Sequence, residues 1–426
     1  MRILACFCLA ACSTLPPADD LLAPPAVSEG VQYKMVATLS PGQEIEKCKF
    51  FTVGPEGIGI TRERTRYTSG SHHVLLFTTS YSSAPAADAQ GLLTDKNGEK
   101  HPVDATGVFD CAEGAFASWN AISVIAGAQS ANAPDLVDLP AGVGVKVAPG
   151  TVLIMNTHYI NASPQPLTTD ARINLYTVPI AQIQQEAGVL FFYNPFIKVA
   201  PMSTASARMS CPITKDVTLL NAQSHMHRRG VNYVANWNDG TGQKMEELYT
   251  NTEWEGVPVK SWKGGKLLTK GTAIDYRCDY MNPENRTVLQ GPTTKDEMCM
   301  FVGIYYPRDL GLEYCSLDSS SPQTALATAD LAATYIGSGT KTCLETIQCM
   351  AKAEPLEKDK GMDYFGCVVN SCPGAAKEVS NLVHCQFTFG GGKCVEQCKK
   401  GRNECNDCLY QNCMPEINSC AAAKCT

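Results

Sequence analysis

The distribution of cysteine constrains this chain more than any other feature, because it divides the sequence into regions of different kinds. The chain has 21 cysteines, of which 12 lie between Cys343 and Cys425. Six more are spread over residues 32–318, and three lie within the first 12 residues. Both larger groups are even, as pairing into disulfides requires, and so many cysteines indicate an oxidising compartment.

The N-terminus has the features of an export signal. Arg2 precedes a short apolar run, Ile3 to Ala11, which cannot span a bilayer as a helix. The run ends in Leu-Ala-Ala-Cys-Ser around Cys12, which resembles the bacterial lipobox. We therefore expect residues 1–12 to be a lipoprotein signal peptide, with the lipid on Cys12, and residues 13–31 to be a flexible tether. An ordinary cleaved signal with an incidental Cys12 is the alternative.

These features predict a protein of the bacterial cell envelope, anchored to a membrane surface by its lipid on the periplasmic or the cell-surface side. The composition, 44% hydrophobic and 18% charged, is that of a chain with several folded domains. The net charge is −7, and basic runs such as Lys399 to Arg402 are short. We therefore expect no nucleic-acid partner.

Residues 32–318 contain short alternating segments separated by Gly, Pro, Asn and Asp, for example Gly142 to Val147 and Val217 to Leu220. Such a pattern predicts an all-β sandwich or barrel. The region is large for one sandwich, and the break near Pro179 to Gly188 is a natural divide. We therefore predict a first sandwich over residues 32–182 and a second over residues 183–318.

The last hundred residues have a different character. Residues 319–342 are rich in Ser, Ala and Thr and predict a linker, with room for one short helix. Residues 343–426 place helix formers between cysteines and repeat the spacing C-x4-C, which predicts a small helical module held by disulfides. Zinc binding by Cys405 and Cys408 is the alternative that the spacing leaves open. The partner of this module is not predicted, although a spacer or an adhesive role would fit.

Five of the seven histidines fall in three short contexts, which are His72-His73, Thr157-His158-Tyr159 and His225-Met226-His227. Each adjoins an apolar run of strand character, and histidine is a common ligand of copper, zinc and iron. Residues i and i+2 of a strand share a face, so that His225 and His227 can reach one metal.

The adjacent His72 and His73 would point to opposite faces of a regular strand. They can share a metal at a strand end or a bulge, which the preceding Ser69-Gly70-Ser71 could provide. We therefore predict a metal site of two or more ions. His101 and His384 lie outside the three contexts and are expected to be ordinary surface residues.

The segment DEMCMFVGIYYP at Asp296 to Pro307, taken with the order HH, THY and HMH, resembles the copper type II, ascorbate-dependent monooxygenases. Peptidylglycine α-hydroxylating monooxygenase and dopamine β-monooxygenase are known members of this family. The resemblance covers about residues 40–318 and is specific, since four motifs occur in the family's order at comparable spacing. It implies two jelly-roll-like antiparallel β-sandwiches facing each other across a solvent-filled cleft, with one copper on each.

Residue by residue, the resemblance implies a ligand set for each of two coppers per chain. An electron-storing copper would be bound by three histidines, which are His72, His73 and His158. A catalytic copper that binds dioxygen would be bound by two histidines and one methionine, which are His225, His227 and Met298. The thioether of Met298 is a soft ligand that favours Cu(I), the state that binds O2.

The implied reaction is the hydroxylation of a C–H bond of a small-molecule substrate, with O2 and electrons from ascorbate or another one-electron donor. Two other functions remain open. The chain could be a copper-binding or copper-sequestering envelope lipoprotein without turnover, or a surface adhesin whose histidine clusters are coincidental.

The resemblance also implies how the six cysteines of the β region pair, which is Cys211 with Cys315, Cys278 with Cys299, and the remaining Cys48 with Cys111. The loop from His73 to Cys111 is longer than expected for the family.

Substrate recognition departs from that of the peptide-amidating members. Those members place an arginine shortly before the His-x-His pair, whereas this chain has Asn221 to Ser224 there, which disfavours a C-terminal glycine peptide. Arg228, Arg229, Tyr305 and Tyr306 are candidate cleft residues, although arginine is usually solvated and tyrosine usually packs.

Overall fold

The computed structural model describes residues 22–112, 114–130, 137–194, 197–240, 243–313, 315, 339–353, 362–387, 393–394, 397 and 402–425. The predicted signal peptide with Cys12, the first part of the tether and most of the linker at 319–342 lie outside the described residues. Strands account for 47% of the structure and helices for 17%, so the all-β prediction for the main region and the helical prediction for the tail are confirmed.

The first β-sandwich is formed by two sheets. One has the order β1-β12-β3-β10-β13, with β9 beside β3, and the other has the order β7-β2-β11-β4-β8, while β5 and β6 form a separate hairpin. The strands are β1 Gly30–Leu39, β2 Glu44–Thr52, β3 Ile58–Tyr67, β4 Ser71–Thr79, β5 Leu92–Thr94, β6 Lys100–Pro102, β7 Val108–Asp110, β8 Ala121–Ala128, β9 Val137–Asp138, β10 Val143–Val147, β11 Val152–Ile160, β12 Leu167–Val178 and β13 Gln185–Glu186. A short helix, α1, covers Ala115–Ser118.

Side-chain alternation explains why these segments form strands. In β1, Tyr33, Met35 and Leu39 face the core, while Lys34 points away from it. The strand pairs with β12 without a break, from Gly30 opposite Tyr176 onwards. Period-2 burial of this kind fixes the register, because a slip by one residue would turn every apolar side chain towards solvent.

The second β-sandwich is likewise formed by two sheets, each of four strands, with the orders β14-β23-β17-β20 and β16-β21-β18-β19. Strands β15 and β22 pair separately. Its strands are β14 Gly188–Tyr193, β15 Lys198–Val199, β16 Ser203–Pro212, β17 Val217–His225, β18 Gly230–Asn238, β19 Lys244–Asn251, β20 Lys260–Leu268, β21 Ala273–Asn282, β22 Val288–Leu289 and β23 Met300–Tyr306, followed by the helical turn α2 at Leu310–Glu313. Strand β13 lies beyond the predicted boundary at residue 182, yet it pairs with β10 of the first sandwich.

The two sandwiches pack directly against each other. Val189 of the second sandwich belongs to the same buried cluster as Phe77 and Trp119 of the first. Beside it, Arg308 donates to Glu186 at 2.7 Å and to the Ser123 hydroxyl at 2.9 Å. The family resemblance predicts a solvent-filled cleft between the sandwiches, but in this structure apolar contacts and buried ion pairs close part of that space.

Three disulfides lie in the β region, and they have the pairing that the family resemblance implies, which is Cys48–Cys111, Cys211–Cys315 and Cys278–Cys299. The last of these ties β21 to the residue that follows Met298. In each bridge one cysteine lies within a strand, which is β2, β16 or β21, and the other lies outside the strands.

The tail is a helical module with disulfides between its helices. Its described helices are α3 Cys343–Lys352, α4 Met362–Val369, α5 Ala376–Phe387, α6 Arg402–Asn412 and α7 Met414–Ala422. The bridges among the described residues are Cys343–Cys420, Cys349–Cys367, Cys372–Cys425, Cys385–Cys413 and Cys394–Cys408. Cys405 is disulfide-bonded as well, so the zinc alternative for Cys405 and Cys408 is not supported. In the described part of the chain, no helix combines the length and apolarity needed to cross a membrane.

Glu63 gives the first sandwich a pH-dependent stability. It is buried in β3, where its Oε1 accepts hydrogen bonds from the Thr65 hydroxyl at 2.7 Å and the Gly127 N–H at 2.8 Å. Burial raises the pKa of Glu63 from 4.5 to about 7, although the hydrogen bonds lower it in part. Because the folded pKa is the higher one, the stabilisation is complete below the unfolded value and is lost as the pH rises through 7.

We predict that Glu63→Gln raises the free energy of unfolding at pH 8 by roughly 2–3 kcal/mol and changes it little at pH 4.5. Urea unfolding at both pH values measures the difference, with the exposed Glu56→Gln as the control. An equal effect at both pH values would contradict the buried, protonated state of Glu63.

Candidate metal centre

The histidines of the first sandwich meet at the end of the β4–β11 pair. His73 lies opposite His158, and the register then shifts so that Ser71 faces Tyr159. His72 is therefore the extra residue of a β-bulge, which lets adjacent histidines turn towards the same place. The ring centroids of His72, His73 and His158 are 5.4 Å apart in each pair.

The histidines of the second sandwich reach a common place by another route. Strand β17 ends at His225, so His227 lies beyond the strand and not on its face, in contrast to the sequence-based expectation. Glu297 fixes the turn, because its carboxylate accepts the N–H of His227 at 3.0 Å and the N–H of Arg229 at 2.8 Å. The rings of His225 and His227 are consequently 5.2 Å apart.

The two groups form one cluster at the junction of the sandwiches. The ring centroids of His73 and His225 lie 5.4 Å apart, and those of His158 and His227 lie 6.2 Å apart. Ring nitrogens of His72, His158 and His227 lie within 4.8 Å of one another. All five side chains are buried, with at most 7% exposure. The sequence predicts two separate sites across a cleft, whereas the structure brings both ligand groups together.

Hydrogen bonds determine which ring nitrogen of three histidines remains available. Glu44 accepts a hydrogen bond from His158 Nε2 at 3.0 Å, and the side-chain oxygen of Gln129 accepts one from His225 Nδ1 at 2.5 Å. The Asp296 carbonyl accepts one from His227 Nδ1 at 3.2 Å. An acceptor at one nitrogen places the proton there and leaves a lone pair on the other. His158 Nδ1, His227 Nε2 and both nitrogens of His72 are buried and make no hydrogen bond within the described residues.

Burial favours the neutral form of four histidines of the cluster, which are His72, His73, His225 and His227. Desolvation, together with a smaller effect of neighbouring histidines, lowers the pKa of His72 to about 3 and that of His225 to about 4. The pKa values of His73 and His227 lie well below the ordinary value for the same reasons. Neutral imidazoles with buried, unpaired nitrogens are the donors that copper or zinc requires, so the residues fit a metal of this class.

Two side chains of the first sandwich reach across to the second at this point. Glu44 accepts the N–H of Thr294 at 2.5 Å as well as the proton of His158. Burial raises the pKa of Glu44, but these hydrogen bonds outweigh it and lower the pKa to about 2, so the group is a carboxylate. Gln129, which follows β8, donates to the Ser224 carbonyl at 3.1 Å beside its contact with His225.

The structure places the Met298 segment beside His225 and His227. Met298 is half-buried, and its carbonyl accepts the Tyr280 hydroxyl at 2.7 Å. Met300, two residues further on, pairs with His225 across the β17–β23 ladder. The backbone that carries the predicted thioether is thus held next to the two histidines by a ladder, a disulfide at Cys299 and the carboxylate of Glu297.

The candidate cleft residues are engaged in structural contacts. Arg229 is 3% exposed and pairs with Glu297 at 3.5 Å, while Arg228 pairs with Glu284 at 2.9 Å. The hydroxyl of the buried Tyr305 donates to the Asp309 carbonyl at 2.7 Å, and Tyr306 packs partly buried against the core of the first sandwich. These residues therefore support the scaffold.

Sequence reasoning missed the groups that orient the histidines. Glu297 adjoins the motif methionine and could have been noticed, but Glu44 and Gln129 carry no local signal. Trp254 was also missed, and its ring centroid lies 5.3 Å from that of His72. The prediction that His101 is a surface residue is wrong, because it is 7% exposed. The side chain of His384 lies outside the described residues.

Among solved structures, two viral proteins are similar to the chain. The major capsid protein P2 of bacteriophage PM2 is 12% identical, covers 64% of this chain and 97% of its own, and gives a TM-score of 0.26. The structure of infectious bursal disease virus Gx strain is 10% identical, covers 67% of this chain and 75% of its own, and gives a TM-score of 0.13. Likenesses at these TM-scores carry no argument about this chain.

A family comparison is informative. The family described as copper type II ascorbate-dependent monooxygenase, C-terminal domain, matches residues 185–329. The matched range contains the second sandwich with His225, His227 and Met298, and it ends after Cys315. Over its second sandwich, the chain is therefore similar to the C-terminal domain of the copper type II, ascorbate-dependent monooxygenases.

Proposed function

We propose that the protein hydroxylates a C–H bond of a small molecule, using O2 and electrons from ascorbate or another one-electron donor. The match of the family's C-terminal domain to residues 185–329 supports copper monooxygenase function in general. The observation that carries the finer proposal is the cluster of five buried histidines where the two sandwiches meet, in which ring nitrogens of His72, His158 and His227 are unpaired and lie within 4.8 Å of one another.

We assign two coppers per chain to this cluster, one for each sandwich. The first copper would be held by the histidines of β4 and β11, which are His72, His73 and His158. The second would be held by His225 at the end of β17, His227 just beyond it, and Met298 in the segment before β23. The hydrogen bonds support two kinds of site, since His158 offers Nδ1 whereas His227 offers Nε2. The single methionine in the second set supports its assignment to Cu(I) and dioxygen.

Copper, when bound, supplies one-electron redox chemistry and the activation of O2. The chain itself supplies neutral ligands, because burial holds the pKa values of His72, His73, His225 and His227 below their ordinary range. It also fixes the ligand geometry in advance, through the acceptors on the far nitrogens of three rings.

Access to the cluster sets a condition on turnover. With the five rings at most 7% exposed, a substrate reaches them only if the sandwiches or their loops move apart. The contacts that would have to break at this point include Gln129 with His225, Glu44 with Thr294, and Trp254 with His72. Gln129 and Glu44 are polar links, which reopen at a lower cost in water than an apolar interface would.

We predict that Met298→Ile abolishes hydroxylation while a copper remains bound to the three histidines of the first sandwich. Removing a group that is hydrogen-bonded to a metal ligand costs about 10–100-fold in metal affinity or activity. Removing the ligand itself should cost at least as much. The measurement is the incorporation of oxygen from ¹⁸O2 into a panel of small molecules, with ascorbate as the reductant.

The exposed Met281→Ile is the matched control and should retain full activity. Copper uptake by the parent without any labelled product or O2 consumption above that of free copper would contradict the proposal. It would leave a copper-sequestering protein.

We also predict that Glu44→Ala weakens the binding of one of the two coppers by about 10–100-fold, because His158 loses the acceptor that orients its ring. Glu44→Gln keeps an acceptor oxygen and should recover most of the loss. Competition with a copper chelator measures the affinity, and Glu56→Ala is the control. Equal affinities in all four proteins would show that Glu44 has no orienting role.

A further inference from the structure

The β5–β6 hairpin contains a second group of metal-type side chains, and it contributes no residue to the histidine cluster. Asp95 directly follows β5, Glu99 lies just before β6, and His101 lies in β6 opposite Leu93. One ligand atom of each of the three side chains lies within 4.8 Å of the others. The hairpin belongs to the long connection between His73 and Cys111.

The hydrogen bonds of the turn use only one oxygen of Asp95. Its Oδ1 accepts the backbone N–H groups of Asn97 and Glu99, each at 2.9 Å. Its Oδ2 and His101 Nε2 are both buried, lie 3.3 Å from each other, and make no other contact of this kind within the described residues. Asp95 is 6% and His101 7% exposed, so water does not readily satisfy either atom.

The spacing of these two atoms suits a metal. Asp95 Oδ2 and His101 Nε2 face each other at 3.3 Å. Bonds of about 2.0–2.1 Å to a tetrahedral zinc ion place neighbouring ligand atoms about 3.3–3.4 Å apart. The exposed Glu99 can supply a third donor from the solvent side.

The neighbouring side chains fix the ring of His101 and leave the carboxylates of Asp95 and Glu99 available to a cation. The ring of His101 packs beside the fully buried Trp119, with centroids 5.7 Å apart. The two lysines of the turn point elsewhere, since Lys96 donates to the Phe116 carbonyl at 2.5 Å and Lys100 pairs with Asp88 at 2.8 Å.

We propose that Asp95, Glu99 and His101 bind a divalent cation of the zinc type, separate from the copper cluster. One imidazole and two carboxylates are donors that zinc accepts, with a water molecule as the fourth ligand. The ion would fix the hairpin on the Trp119 side of the first sandwich. A further group of metal-type residues in the described chain, Cys385, Cys413 and Glu416, has both cysteines in a disulfide and offers no thiolates.

Zinc uptake by the full-length, metal-free protein tests the proposal. Equilibrium dialysis against zinc alone should show that Glu99→Gln loses one zinc per chain, or binds it at least about tenfold more weakly than the parent. Zinc bound by the histidine cluster is common to both proteins and cancels in the comparison. Glu99 is exposed, so this substitution does not threaten folding.

Asp88→Asn is the matched control, because it alters the same hairpin without removing a proposed ligand, and it should bind as much zinc as the parent. His101→Asn should lose the same zinc as Glu99→Gln, together with the zinc-dependent rise in the unfolding temperature that this site contributes. Equal zinc uptake by the parent and Glu99→Gln would overturn the proposal and leave Asp95 and His101 as an ion pair.

Discussion

The direct packing of the two sandwiches is the constraint on which the candidate site depends. Neither sandwich places more than three histidines in one spot, and only their contact brings rings of one sandwich within 6.2 Å of rings of the other. The apolar cluster around Phe77, Trp119 and Val189 and the hydrogen bonds of Ser123 with Arg308 and Glu313 hold the sandwiches together. Burial by this interface removes water from the rings and lowers the pKa values of His72, His73, His225 and His227, so stability and ligand chemistry have the same origin.

A second layer of side chains turns that burial into defined geometry. Glu44, Gln129 and the Asp296 carbonyl each accept a hydrogen bond from one ring. Glu297 accepts the backbone N–H of His227 and so fixes the backbone that carries this ring. Two of these groups come from the opposite sandwich or contact it. The orientation of each ring therefore depends on the position of both sandwiches, so that a motion between them would change the geometry of the histidine cluster.

The sequence predicts the parts of this arrangement that have a local cause. The glycine and serines before His72 indicate an irregular strand, and the structure has a bulge there. The six cysteines of the β region pair as the family resemblance implies. The contacts of Glu44 with Thr294 and of Gln129 with His225 join residues 250 and 96 positions apart, so no local pattern reveals them. His101 was misjudged because its burial depends on Trp119, which the sequence does not place beside it.

Copper stoichiometry tests the central claim most directly, since one buried cluster is claimed to hold two separable coppers. The protein without its signal would be reconstituted with copper and dialysed, beside His158→Ala and His225→Ala. The account predicts two coppers per chain in the parent and one in each variant, with different spectroscopic signatures for the coppers that remain. A single copper in the parent, lost in both variants, would show that the five histidines form one site and would contradict the account.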